Sequence, residues 1–273
     1  MKAKKRLMIL LIPIVLLILI AVGVGCGSKK IADLNYTALQ VGTSEFPLWD
    51  SSKTRDHQDK SAPKEATVTF NGKTYSGVYD CSIINVPNLY TSHKYKGDNF
   101  YFEINVKTGE LSSIYFLDAS FGGNAISKEK CKEIADLIAD DYIDLSEYKV
   151  EEYKYGSAYS FDYFREVNGY KTVDRLTVGV EENGNVAVFG KYTLGSFENV
   201  DSIKIDEEKA KKVIEAKLKS IYKDKIDLDD YSVDNFILLK HDHDNIALLY
   251  TISFKYKTDI KNGETVKLLL TIK

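Results

Sequence analysis

Two stretches of the chain carry apolar residues at helical spacing. In "ISKEKCKEIADLIADDY" (126–142), Cys131, Ile134, Ala135, Ile138 and Tyr142 recur every three or four positions. In "IDEEKAKKVIEAKLKSIY" (205–222), Ala210, Val213, Ile214, Leu218 and Ile221 do the same. That period puts each set on one face of an α-helix and the lysines and acids on the other. Ser127 and Asp206 stand where an N-cap belongs, each with a side-chain oxygen able to accept from a first-turn amide. Each predicted helix therefore has one face to bury.

Elsewhere the apolar period is two, which predicts strands. Tyr159, Phe161 and Tyr163 alternate with Ser160 and Asp162, and Leu176, Val178 and Val180 follow; later Tyr250, Ile252, Phe254 and Tyr256 share a face, as do Val266, Leu268, Leu270 and Ile272. Asn168-Gly169, Asn183-Gly184 and Asn262-Gly263 fall between such runs, and Asn-Gly suits hairpin turns because both residues tolerate positive φ. Upstream, "ATVTFNGKTYSGVY" predicts a hairpin at Asn71-Gly72 and "FYFEINVKTGELSSIYF" another at 107–109.

The pattern repeats. "IDLSEYKV" (143–150) and "IDLDDYSV" (226–233) lie 83 positions apart (226 minus 143), and the preceding helices match at an offset of 79 (205 minus 126). A helix-plus-hairpin unit of about 70 to 80 residues is thus written twice, and the eight residues mark its passage from helix to strand. The predicted fold is α+β: two tandem units, 126–200 and 201–273, each one helix packed on an antiparallel sheet. A β-rich segment, 65–125, precedes them, to cap the first unit or extend its sheet. The stretch 27–64, with "SEFPLWDSSKTRDHQDKSAPK", is poor in apolar residues and reads as a polar tether.

At the N-terminus, residues 1–26, the pattern changes again. MKAKKR is basic, and an uncharged run of 19 residues follows, from Leu7 to Gly25 (25 minus 7, plus 1). Gly23, Val24, Gly25 and Cys26, then Gly27, Ser28, Lys29 and Lys30, resemble the lipobox of bacterial lipoproteins, except that Gly23 stands where that pattern has Leu. The resemblance makes Cys26 a lipidation site at the end of a signal peptide. The run is also long enough to be an uncleaved transmembrane anchor with its basic end inside. Either reading anchors the chain to the membrane and expects the rest on its extracytoplasmic face.

Composition adds exclusions. Lys and Arg number 37 against 40 acids, for a formal charge of -3, so no nucleic-acid surface is implied. Cys81 and Cys131 do not make a disulfide framework, and Cys131 aligns with Ala210 on the buried helix face, as a small apolar residue would.

The run "GYKTVDRLTVGVEENGNVAVF" (169–189), with Gly169, Asp174, Val178, Val180, Gly184 and Val186, resembles the PepSY-like modules of extracytoplasmic bacterial proteins, in particular YcdB/YcdC-type tandem repeats. "FEINVKTGELSSIYF" (102–116) echoes its terminal hairpin, whereas 257–261 lacks the Gly-x4-Asp spacing. The resemblance implies a non-enzymatic module that binds or modulates an envelope protein such as a peptidase, and brings no catalytic residues.

Candidate chemistry is sparse. "KHDHDN" (240–245) gathers His241, Asp242, His243 and Asp244, which read as a polar turn, with a ligand- or metal-binding surface lipoprotein as the alternative. "ADDYIDLSE" and "KDKIDLDD" lack the order of an EF-hand loop. Neither a G-x-S-x-G elbow, a P-loop nor a G-x-G-x-x-G occurs, and His57, His93, His241 and His243 sit in polar stretches with no obvious partner. No catalytic residue, cofactor or metal ligand is assigned, and the expectation is a binding protein rather than an enzyme.

Overall fold

The computed structural model describes residues 35–41, 56–85, 90–191, 193–200, 202–241 and 245–272. The leader, with Cys26, lies outside them. Among the described residues no helix is long and apolar enough to cross a membrane.

The chain runs through β1 (Tyr36–Gln40), β2 (Asp56–His57), β3 (Glu65–Phe70), β4 (Lys73–Asn85), β5 (Tyr90–Lys96), β6 (Phe100–Asn105) and β7 (Leu111–Phe116) to helix α1 (Lys128–Asp140). Next come β8 (Tyr148–Tyr155), β9 (Ala158–Val167), β10 (Tyr170–Glu181) and β11 (Val186–Gly190), then helix α2 (Glu207–Tyr222) and β12 (Ile226–His241), β13 (Asn245–Tyr256) and β14 (Asp259–Ile272). The strands form one sheet of 14 in the order β1-β14-β13-β12-β10-β11-β7-β6-β5-β4-β2, with β3 beside β4, β9 beside β10 and β8 beyond β9.

Both helices start at the expected caps: Ser127 Oγ accepts from the Lys130 amide and an Asp206 carboxylate oxygen from that of Lys209. Asn71-Gly72 and Asn168-Gly169 turn with both residues at positive φ, 47° and 71° in the first and 50° and 84° in the second. These are two-residue turns whose twist matches that of the flanking strands.

Each helix covers an apolar core, and a smaller third cluster gathers Val41, Leu239, Ala247 and Leu269. In the first core α1 buries Cys131, Ala135 and Ile138 against Phe161 and Leu176 of β9 and β10. In the second α2 buries Ala210, Ile214 and Leu218 among Leu238, Ile252 and Leu268 of β12, β13 and β14. Burying each such large side chain contributes about 1.5–3 kcal/mol. Cys81 and Cys131 are buried thiols, not disulfide partners, and the Cys131 thiol points at the Glu181 carbonyl 3.5 Å away.

Of the two arrangements expected for the β-rich segment, it takes the second and extends the first sheet, since β7 pairs with β11, and Phe70, Phe102 and Ile114 share the core of α1. Other expectations are corrected. The antiparallel sheets expected for two separate units are joined into one mixed sheet, because Thr172 of β10 pairs in parallel with Leu238 of β12. The polar tether is not uniform: Tyr36–Gln40 pairs with β14, with alternate apolar positions finding cover there. Asn262-Gly263 is not the last hairpin turn. Tyr256 pairs with Asp259, closing a two-residue turn at Lys257-Thr258, and the register then shifts so that Lys255 faces Gly263.

One buried carboxylate ties the two cores together. The β9–β10 register breaks between Lys171 and Arg175, and this bulge turns Asp174 inward, where it has no exposed surface. Asp174 accepts from the backbone amides of Gly195 and Phe197, both at 2.9 Å, and from the Tyr148 hydroxyl at 3.0 Å. Arg165 Nε lies 3.6 Å from its second oxygen. Gly195 and Phe197 belong to the connection from β11 to α2, and Phe197 is buried in the second core. The Thr193 hydroxyl donates to the Val173 carbonyl in the same connection. The Gly-x4-Asp spacing of 169–174 therefore measures the distance from a hairpin turn to the bulge that anchors this crossing.

Candidate functional site

A cleft of about 590 Å³ lies between α2 and the exposed part of β12. Its floor is apolar and aromatic. Two register shifts along β12, before Tyr231 and after Val233, bring Tyr231, Val233 and Phe236 to the same side despite their uneven spacing. Phe236 is 38% exposed, and its ring sits 5.5 Å from that of Tyr170 at the tip of the β9–β10 hairpin and 5.8 Å from that of Tyr250 on β13. Three separate segments thus supply one aromatic row.

The rim is acidic. Glu207 and Glu208 lie in the first turn of α2, where the helix dipole favours negative charge, and Glu215 and Asp229 add two more carboxylates against the one ammonium of Lys211. Tyr170 donates to Glu207 at 2.8 Å and Tyr231 to Glu215 at 3.4 Å, while Lys211 approaches Glu215 at 3.9 Å. Glu208 and Asp229 are exposed.

These surroundings hold the phenols protonated. Burial first, then the Glu207 carboxylate, pushes Tyr250 up to about 12, and burial with Glu215 pushes Tyr231 up to about 12. Tyr170 is raised by burial and then by its bond to Glu207. The unfolded chain loses these protons near the ordinary value of 10.0, so the stability they contribute is fully present below that pH and is lost as pH rises toward 12. In a tyrosinate absorbance titration, Tyr250→Phe is expected to remove one phenol from the set ionising near pH 12. Loss from the set ionising near 10.0 would contradict this environment.

The sequence-predicted positions fall elsewhere. Cys26 lies outside the described residues. His241 ends β12, and 242–244 lie outside the described residues as well. Among the described residues, no group of three or more His, Cys, Asp or Glu side chains could hold a metal ion.

His93 is a correction to the reading of isolated histidines. It is buried in β5, with Nδ1 2.8 Å from Ser82 Oγ, which is in turn 2.8 Å from the Tyr79 hydroxyl. A Ser–His pair suggests a nucleophile and its base, but Ser82 has no exposed surface, so a substrate has no route to Oγ. The trio satisfies its own buried polar groups, and the Tyr79 hydroxyl also accepts from the Asp59 amide at 2.9 Å.

No protein-family model matches the chain, and no curated protein matches it in sequence. Among solved structures it is similar to the Bacillus megaterium YpeB C-terminal domain, at 16% identity over 77% of this chain and 84% of that one, with a TM-score of 0.34. At that TM-score the likeness carries no argument for fold or function.

Nothing local announced the cleft. Tyr170, Tyr231 and Tyr250 have the alternation of ordinary strand residues, and Glu207 and Glu208 look like any acids after an N-cap.

Proposed function

We propose that this chain is a non-enzymatic protein held at the extracytoplasmic face of the membrane, with Cys26 as its lipid-bearing residue, that binds and modulates an envelope protein such as a peptidase. The observation that carries the binding role is the α2–β12 cleft: open, aromatic, and bordered by positions 231–235 of β12, a stretch that pairs with β13 on one side only among the described residues. A strand edge beside an apolar trough is suited to a partner segment. The N-terminal pattern up to Cys26 supports the anchor. The PepSY-like spacing of Gly169 and Asp174 supports the module in the first unit; its duplication is supported by the repeated motifs at 143–150 and 226–233, and the two helix-bearing cores are in keeping with it.

The test is site-specific photocross-linking in intact cells, with the reactive group at Val233 in the cleft or at Leu137, which is 73% exposed on α1. A single envelope protein captured from Val233 and not from Leu137, on a chain that takes a fatty-acid label lost in Cys26→Ala, is the expected result. Equal capture at both positions, or none, would refute the binding role, and an unlabelled parent chain would refute the lipid anchor.

A further inference from the structure

We infer that the α2–β12 cleft binds an extended basic peptide segment, seated as an added strand along β12 with a lysine or arginine side chain over the Tyr170, Phe236 and Tyr250 rings. The inference rests on the binding role proposed above and names the chemistry of the ligand.

Charge selects the sign of the occupant. Among the described residues that line the cleft, Glu207, Glu208, Glu215 and Asp229 stand against the single cation of Lys211. An anionic segment would bring its carboxylates toward these four and meet repulsion, whereas an ammonium or guanidinium replaces a missing counter-charge. Glu207 and Glu215 are already engaged by tyrosine hydroxyls, which leaves Glu208 and Asp229 to meet an incoming cation.

The aromatic row selects the kind of cation. A cation over an aromatic face is attracted by the negative charge of the ring face, the more so as it is desolvated. Rings spaced 5.5 Å and 5.8 Å apart in a row make a trough that takes the methylene stem of Lys or Arg along its length, rather than a closed cage around one small ion. A hydrated metal ion finds no use for such walls.

The strand edge selects a peptide. On the side away from β13, β12 is bridged to β10 at Leu238, and among the described residues positions 231–235, ahead of that bridge, have no strand paired beside them there. An added strand places alternate side chains about 6.5–7 Å apart on one face, so that basic residues two positions apart reach along the acidic rim.

The test uses the purified full chain and fluorescein-labelled peptides of alternating Lys and Thr, or of alternating Glu and Thr, read by anisotropy. The Lys peptide is expected to bind and to weaken with rising salt, and the Glu peptide not to bind. Glu208→Gln/Asp229→Asn and, separately, Phe236→Ala are each expected to weaken binding about tenfold. All three positions are exposed, so thermal midpoints should stay close to the parent, which separates lost binding from lost folding.

Parental affinity in both variants, or equal binding of the two peptides, would overturn the inference. So would concentration-dependent self-association abolished by the same substitutions, since the occupant would then be a second copy of the chain. Failure of the Lys peptide while the Val233 cross-link persists would sink the basic ligand and leave the binding role standing. Peptide binding without any cross-linked partner would do the reverse.

Discussion

Replacing Asp174 with alanine is expected to lower the unfolding free energy by about 3–5 kcal/mol in urea denaturation, the range for breaking a buried charge pair by removing one partner. The side chain has no exposed surface and collects two backbone amides, one hydroxyl and the approach of Arg165. Alanine would strand all of these. The Gly195 and Phe197 amides lose their acceptor, and Arg165 Nε, already buried without a hydrogen bond, loses the carboxylate beside it, although the far end of the guanidinium keeps its 2.5 Å pair with Glu147. Asparagine preserves the shape and one acceptor oxygen, so Asp174→Asn should cost clearly less than alanine. A loss below about 1 kcal/mol for alanine would mean that these contacts do not hold the crossing between the cores.

Phe189→Ala is expected to cost a similar amount, about 3–5 kcal/mol, by removing a fully buried ring and leaving a cavity. The Phe189 ring lies 4.8 Å from Phe70 of β3 and 4.7 Å from Tyr142 just after α1. It therefore stands where the β-rich segment meets the first helix. The loss should appear in one cooperative transition seen alike by far-ultraviolet circular dichroism and by tyrosine fluorescence. An earlier, separate melting of strands β3 to β7 would contradict a shared core.

What could be read from the sequence is what neighbouring residues decide among themselves. The caps at Ser127 and Asp206, the helix faces through Cys131 and Ala210, and the turns at Asn71-Gly72 and Asn168-Gly169 depend on interactions within a few positions, and all are present. Asn262-Gly263 shows the limit, because two other residues made the turn two-residue tight and left Gly263 within β14. Strand β1 was invisible for a different reason: five residues with little pattern of their own become a strand because β14 presents an edge. The cleft shares that character, since its rings come from β10, β12 and β13 and its acids from α2 and β12. His93 has polar sequence neighbours and no obvious partner among them, because its hydrogen-bond partner Ser82 lies on the adjacent strand.

The pairing of Tyr36 with Ile272 spans 236 positions (272 minus 36). Contacts of such sequence separation slow folding, because the loop between the partners must be closed before the contact repays its entropy. Among the described strands, β1 is synthesised first and its partner last. Until β14 arrives, the β13 edge that it will cover is exposed, and a stalled or truncated chain keeps that edge open. The first described strand thus waits for the last before it can pair.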